Sequence, residues 1–496
     1  ANPAPPDARG LRRKKRSGRY TSAPPRTHDV NADPILIFQL HRMGDLLLTF
    51  PLLLRLQRLW PERPLWVVAE PQFFMPLTAI APEVVFFPPS HCATLARARY
   101  KAAFNLCSAP AAAQCMATLR AERKLGPVAG RKGLHVRGFW QLYRTALTQN
   151  NHNNAFHWAD LHLLDLAPTP DLRAVPHAPL RRAGARRVGL VLGASTPAKR
   201  PDADFWARLA RRLASAGAPP LLLGGPAEAA LGATVARKAG LPQANTCGRL
   251  DLGQLAALMR TLDLCVTPDT GPMHLADYLG VPVLNLSMGP VHARETGPTA
   301  PGQWVLRAGM SSVGCWQCGR GRLYCKGAFS PAAVADTVLA LLQTPCLGLP
   351  AALPSRPGLR LWRTGRDVLG LHSLSAVGSP SPSCRPVLED FWQAVFLYIY
   401  QPALAPLLQT RLTALHTRFP ALQTRLGAAL AQVCAHCAAA LRNDARSLPP
   451  GFWNSQPPLA RLGSGFLHLY LQNASYSRRA WRTALERLAD LASRLG

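Results

Sequence analysis

The 496-residue chain is short of acidic residues, short of lysine, and without a long uninterrupted apolar run. Lys and Arg number 57 against 26 Asp and Glu, a formal net charge of +31 that favours an anionic partner such as nucleic acid, acidic lipid or phosphorylated glycan. Only 8 of the 57 basic residues are Lys, and Ala, Leu, Pro and Arg abound throughout, so part of the excess reflects genomic composition. No helix-turn-helix, zinc-finger or RNA-binding aromatic signature accompanies the charge, which argues against nucleic acid. The longest apolar stretch, "FWQAVFLYIYQPALAPLL", is broken by two Gln and two Pro and is no membrane span. There is no Walker loop and no clean GxGxxG, which removes ATPase and dehydrogenase readings.

The 48 % hydrophobic content predicts that most of the chain folds, and its length predicts two or three domains. The basic run "RGLRRKKRSGRY" lies in residues 1–34, with no apolar segment after it to serve as a signal-peptide core. That stretch reads as a disordered tail or as a tether to acidic membrane, and the protein as cytoplasmic with peripheral contact at an inner membrane face. Twelve Cys in such a chain predict mostly reduced, buried thiols. Cys315, Cys318 and Cys325 stand apart as C-x2-C-x6-C, read either as a structural metal or disulfide clip or as ordinary thiols. A metal would need a fourth ligand, and His292 and Cys346 are both available in sequence.

From Ile35 short apolar runs alternate with amphipathic stretches. "ILIFQL", "LWVVAE" and "AAFNLC" read as strands and "LLLTFPLLLRLQRLW" as a helix, the rhythm of βαβ units in a parallel sheet. After an Arg-rich junction near "LRRAGARR" it restarts: strands "RVGLVLG", "PPLLLGG", "LDLCVTP" and "VPVLNLS", helices "PDADFWARLARRLASAG" and "LGQLAALMRT", and a further helix after Pro272. The fold class is therefore α/β, two Rossmann-like doubly wound domains at 35–180 and 186–345. A Pro/Gly/Ser-rich linker at 346–387 follows, with a hairpin candidate in "LRLWRTGRDVLGLHSL", then a helical appendage at 388–496. In that appendage Leu408, Leu412, Leu415, Phe419, Leu422 and Leu426 form a heptad seam that Pro420 interrupts, predicting two packed helices or a kinked one. Open α/β sheets bind ligands at the carboxyl ends of their strands, so the two domains should share a cleft.

Four stretches place chemistry at such strand ends. In "VTPDTGPMHLADYLGVPVLNL" Asp269, Thr270, Gly271 and His274 stand at a strand-to-helix bend. Thr270 is at the N-cap and Pro272 in the first turn, a helix start that offers free N–H groups and a positive dipole end to an anion. The plainer alternative is that Thr270 only caps and His274 only packs. In "HRMGDLLLTFPLL" Gly44 and Asp45 follow the first strand, where the carboxylate can cap the helix or face the cleft as a base. In "LVLGASTPAKRPDADFWARLA" Ser195, Thr196 and Lys199 supply hydroxyls and a cation for a diphosphate, while Asp202 and Asp204 read as helix-start residues. In "LLLGGPAEAAL" Glu228 follows Gly224 and Gly225 and can accept from ribose hydroxyls. Together they describe a nucleotide-diphosphate cleft with a base across it.

In these motifs the sequence resembles the lipopolysaccharide heptosyltransferases, glycosyltransferase family nine, of the two-domain GT-B fold. The resemblance runs over roughly residues 35–345 and is carried by Met43, Gly44, Asp45, Leu47, Thr49 and Pro51 and by "DTGPMHLA" at Asp269 to Ala276. It implies that Asp45 is the general base and that Lys199, with Ser195 or Thr196, holds the diphosphate and nearby sugar hydroxyls. It implies that Glu228 takes the ribose, that Thr270 and Gly271 bind phosphate, that Asp269 orients the sugar and that His274 supports them. It implies inverting transfer of heptose from ADP-heptose to an anionic glycolipid acceptor, the lipopolysaccharide core, with no bound cofactor. The alternatives are a transferase for another nucleotide sugar or acceptor, and a non-catalytic glycan-binding scaffold of the same fold.

Overall fold

The computed structural model describes residues 32–131, 133–166, 177–310, 312, 314, 315, 318–345, 348–350, 358–378, 383–449 and 451–495. The basic run of the N-terminal tail and Cys346 lie outside these residues.

Two twisted sheets carry the fold. The first runs β3-β2-β1-β4-β5-β6, from β1 (Ile35–Phe38), β2 (Leu65–Val68), β3 (Val85–Phe87), β4 (Arg99–Asn105), β5 (Arg120–Gly130) and β6 (Gly133–Arg137). All its pairs are parallel except β5 with β6. The second runs β13-β12-β11-β10-β9-β7-β8, from β7 (Val188–Val191), β8 (Pro220–Leu223), β9 (Leu264–Thr267), β10 (Val283–Ser287), β11 (Trp304–Ala308), β12 (Leu359–Arg366) and β13 (His372–Ala376). The five strands β7 to β11 are parallel, and the β12–β13 hairpin adds an antiparallel edge. Both sheets are covered by helices, which is why β1, β7, β9, β10 and β11 are buried at every position and read as mainly apolar runs.

The longer helices are α1 (Met43–Leu59), α2 (Pro110–Thr118), α3 (Phe139–Ala146), α4 (Trp158–Leu164), α5 (Ala203–Ser215), α6 (Ala229–Ala239), α7 (Leu252–Met259), α8 (Gly271–Tyr278) and α9 (Pro331–Gln343). Beyond the second sheet come α10 (Cys384–Tyr400), α11 (Ala405–Arg418), α12 (Pro420–Arg442), α13 (Arg461–Asn473) and α14 (Arg478–Leu495). Several starts are set by local chemistry. Asp202 accepts from Phe205 N–H, Asp251 from Gln254 N–H and Ser330 from Ala333 N–H, each satisfying a donor that the first turn leaves free. Asp202 is thus a cap, and Asp204 pairs with Lys238. No described helix is long and apolar enough to cross a membrane.

Two segments differ from the sequence expectation. Residues 359–376 form the hairpin that "LRLWRTGRDVLGLHSL" suggested, but as the β12–β13 edge of the second sheet rather than inside a linker; its alternating polar residues belong to a half-exposed edge. The C-terminal helices do not stand apart from the first domain. Ten residues of α10 are buried, and it packs its aromatic residues on α3: Tyr143 and Phe396 lie 4.5 Å apart by ring centroid and Trp140 and Tyr400 5.4 Å. Phe139 meets Phe466 of α13 at 5.1 Å, so one continuous core joins the first sheet to α10, α12, α13 and α14. Asn473 of α13 also closes the edge strand β6: its Nδ2 donates to Val136 O at 2.7 Å and its Oδ1 accepts from Val136 N at 3.1 Å. Pro420 does divide the Leu seam into α11 and α12, with the break at Phe419.

The two sheets are tied by buried polar contacts. Asp160 on α4 takes Arg366 Nη1 at 2.8 Å and the His372 N–H at 2.6 Å, both from the β12–β13 hairpin. Asn151 and Asn154 donate to Glu295 at 3.1 and 2.9 Å. Among the cysteines, Cys92 and Cys115 are disulfide-bonded, an exception to the expected reduced thiols. Cys107, Cys247, Cys265 and Cys437 are buried free thiols, whereas Cys318 and Cys384 are exposed.

Candidate functional site

The site forms where the starts of α1 and α8 meet. Each helix follows a buried parallel strand, β1 or β9, so both begin at a carboxyl edge of their sheet. They approach closely because glycine stands at both starts. A Cβ on Gly44 would lie 3.2 Å from the His274 ring and 3.7 Å from the Gly271 Cα. Two segments more than two hundred positions apart in sequence thus share one bend.

At the α1 start the half-buried Asp45 accepts the Arg42 backbone N–H through Oδ2 at 3.3 Å. The capping reading therefore holds, and the carboxylate stands at the open end of the helix. Thr49, one turn on, spends its hydroxyl on the Asp45 carbonyl at 2.9 Å. Thr270 occupies the N-cap position of α8, but its side chain makes no cap bond, so capping does not account for this hydroxyl. The first turn of α8 keeps free N–H groups and the positive end of the helix dipole.

His274 is buried, and its Nδ1 has no hydrogen-bond partner among the described residues. Burial lowers its pKa, while Asp269, Asp277 and Asp45 oppose that shift and Lys199 adds to it. This ring therefore feels charges from both sides of the cleft. Asp269 is buried and pairs with Lys199, Nζ to Oδ2 at 3.3 Å, while Thr296 Oγ1 donates to the same oxygen at 3.4 Å. Lys199 lies on the turn after β7, and the loop after β10 presses on that turn. A Cβ on Gly289 would stand 2.2 Å from the Ala198 carbonyl oxygen, and its φ of +72° also requires glycine.

Glu228 sits in a second group at the ends of β7 and β8. Its Oε2 accepts from Gly225 N at 2.9 Å, and a Cβ on Gly193 would lie 2.5 Å from its carboxyl carbon. Arg200 Nη1 stands 4.0 Å from Glu228 Oε1. Ser195 and Thr196, between Gly193 and Lys199, are exposed.

The structure thus brings Gly44, Gly271 and His274 into contact and Lys199 to Asp269, with Asp45, Asp269 and Lys199 close enough to His274 to shift its pKa, and sets Glu228 beside the Gly193 to Arg200 loop. Residues that the motifs did not single out also contribute. Arg200 and Thr296 contact Glu228 and Asp269. His41 and Arg144 both sense the Asp45 charge, and burial lowers the pKa of each. His41 belongs to "HRMGD" and was visible there, whereas Arg144 comes from a helix of the first domain with no motif of its own.

Among the described residues no group of three or more His, Cys, Asp or Glu is gathered as for a metal ion. Cys315 is partly buried, which raises its thiol pKa, and Cys318 and Cys325 raise it further, so these thiols are near neighbours.

Over residues 150–317, about a third of its length, the chain matches the family model of glycosyltransferase family 9 (heptosyltransferase). That span holds Ser195 to His274 but not Gly44 and Asp45. No curated protein matches the chain. Among solved structures it is similar to the E. coli ADP-heptose LPS heptosyltransferase II, at 20% identity and a TM-score of 0.48, over 62% of this chain and 98% of that one. It is also similar to a family 9 glycosyl transferase from Veillonella parvula, at 20% identity and 0.48, over 63% and 97%. The E. coli heptosyltransferase WaaC with ADP is similar at 18% identity and 0.41, over 53% and 90%.

Proposed function

We propose that this chain, which over residues 150–317 matches the family model of glycosyltransferase family 9, transfers heptose from ADP-heptose to an anionic glycolipid acceptor, the lipopolysaccharide core, with inversion. The observation that carries the reading is the meeting of the two helix starts at Gly44 and Gly271, with the Lys199–Asp269 pair beside them at 3.3 Å. On this reading Asp45 is the carboxylate of one wall of a cleft, and Lys199 with the α8 dipole forms the other.

In this mechanism Asp45 takes the proton from the acceptor hydroxyl. The oxygen attacks the anomeric carbon from the face opposite the nucleotide, and the bond to the diphosphate breaks. Negative charge grows on the leaving group, and Lys199 and the α8 N–H groups stabilise it. Thr270 donates its uncapped hydroxyl to phosphate, and Ser195 or Thr196 adds a second. Asp269, fixed by Lys199 and Thr296, orients the sugar hydroxyls. Glu228 accepts from the ribose, held in place by the Gly225 N–H. His274 supports the bend between the two walls. The excess of basic residues suits an acceptor that carries phosphates and carboxylates, met at an inner membrane face.

Calorimetric titration of the purified protein with ADP, UDP, GDP and CDP tests the donor. Selective binding of ADP is the expected outcome. Preference for another nucleotide would move the same chemistry to a different sugar donor, and binding of none would favour a non-catalytic scaffold.

A further inference from the structure

Away from the cleft, a pocket opens between the β11–β12 edge of the second sheet and the start of α10. Arg294, Arg307, Arg360 and Arg385 line it, together with Trp362 and Glu389. None of the cleft residues named above takes part. The pocket leaves about 70 Å³ for the centres of water-sized molecules, space for several waters or one compact oxyanion.

The charges inside it do not balance. Glu389 is the one carboxylate in its lining and is already engaged twice, with Arg294 Nε at 2.9 Å and Arg385 Nε at 2.7 Å. Asp390 helps only from outside, shared between Arg294 at 3.8 Å and Arg411 at 3.6 Å. Arg307 is 7 % exposed, yet its guanidinium makes no hydrogen bond or ion pair with any described residue. Arg360 likewise has no ion pair among the described residues. The Trp362 indole N–H, in the same lining, is also buried without a partner among the described residues. A buried cation is retained only where something compensates it, and a guanidinium offers five donors in a fixed fork that suits a tetrahedral oxyanion. Burial, together with Arg385 and Arg294, holds the Arg307 pKa down to about 10 against the opposing pull of Glu389.

We propose that this pocket is a second anion site, built to take a phosphoryl group on Arg307 and Arg360 with Arg294 and Arg385 flanking it. A dianion suits the Arg307 and Arg360 guanidinium groups, which have no ion pair among the described residues, better than a single carboxylate does, because it brings more charge and more acceptor oxygens to the same small volume. The site does not depend on the transfer reaction proposed above. It is nevertheless close to the cleft through one short helical turn, Ala293–Thr296, which sends Arg294 into the pocket and Thr296 to Asp269.

The test is calorimetry on the full chain at constant ionic strength, with ADP saturating so that the cleft is occupied, using inorganic phosphate in one arm and glucose 6-phosphate in the other. At least one arm is expected to show binding that Lys199→Ala leaves unchanged. Arg307→Gln is expected to weaken it by roughly ten- to a hundredfold, the loss of one charged hydrogen-bonding partner. Tighter binding of inorganic phosphate would identify a free ion as the occupant, and tighter binding of glucose 6-phosphate a phosphorylated sugar. Arg360→Gln, at a half-buried position, serves if Arg307→Gln does not fold. Absence of binding in both arms, or unchanged affinity in both arginine variants, would overturn the proposal. So would loss of binding in Lys199→Ala, since the anion would then belong to the cleft.

Discussion

At the third position of a helix a carboxylate can stabilise the first turn and still present an oxygen to a cleft. Asp45 stands in that place, and Asn in its place keeps an acceptor for the Arg42 N–H while losing the ability to take a proton. Asp45→Asn should therefore leave ADP affinity and thermal midpoint near those of the parent and lower kcat by about 10²- to 10⁴-fold. Lys199→Ala should do the reverse, weakening ADP binding by roughly ten- to a hundredfold. Calorimetry and steady-state rates on the two variants separate these effects; equal loss of nucleotide affinity in both would contradict the assigned roles. At this scale the sequence was informative about chemistry and silent about geometry. Asp45 and the Asp269 to His274 bend could be found because each follows an apolar strand, but no spacing rule brings Gly44 within reach of His274. Arg144 was missed because a lone Arg in an amphipathic helix looks like any solvated face, although here it is half-buried, donates to Leu106 O and senses the Asp45 charge.

Among the elements, the strands that were legible are those with helices on both sides. β1, β7, β9 and β10 are short, wholly buried runs dominated by apolar residues, with Thr267, Asn285 and Ser287 as their polar members. β5, "RAERKLGPVAG", has exposed charged residues over its first half, and its antiparallel partner β6 gives no periodic signal. Nor did the heptad seam on α11 and α12 reveal what the neighbouring α10 does. That helix is buried nearly all round because it fills the space over Trp140 and Tyr143, each pair of rings adding about 0.5–1.5 kcal/mol beyond area burial. A chain ending at 383 should therefore lose cooperative unfolding and bind hydrophobic dyes, because Phe139, Trp140 and Tyr143 would meet water. A truncated protein that melts in one sharp transition and binds ADP normally would show instead that the first domain is complete without these helices.

For the molecule as a whole, the buried histidines set the acid limit. His157 and His177 are brought down to about 4, chiefly by burial, and His162, His274, His292 and His372 are also lowered by burial. Each binds a proton more readily in the unfolded chain, whose value is near 6.5. Stability from this source is thus complete above pH 6.5 and is lost as the pH falls towards 4, by about 3 kcal/mol for His157 alone. The thermal midpoint should fall steeply between pH 6.5 and 4.5, and His157→Gln, which does not titrate there, should show a shallower slope. A midpoint flat across that interval would place these rings in water.

The shared core of the first sheet and α10 also fixes an order of events during synthesis. The second domain can close its own core, β7 to β11 with α5, α6 and α9, once its helices have emerged from the ribosome. The first domain, although made earlier, waits for Phe396 and Phe466 before Tyr143 and Phe139 are covered. Some 240 residues separate α3 from α10, which at about 5–20 residues per second is roughly 10–50 s of translation. For that interval the nascent chain presents an unfinished aromatic surface, the kind of surface a ribosome-associated chaperone holds.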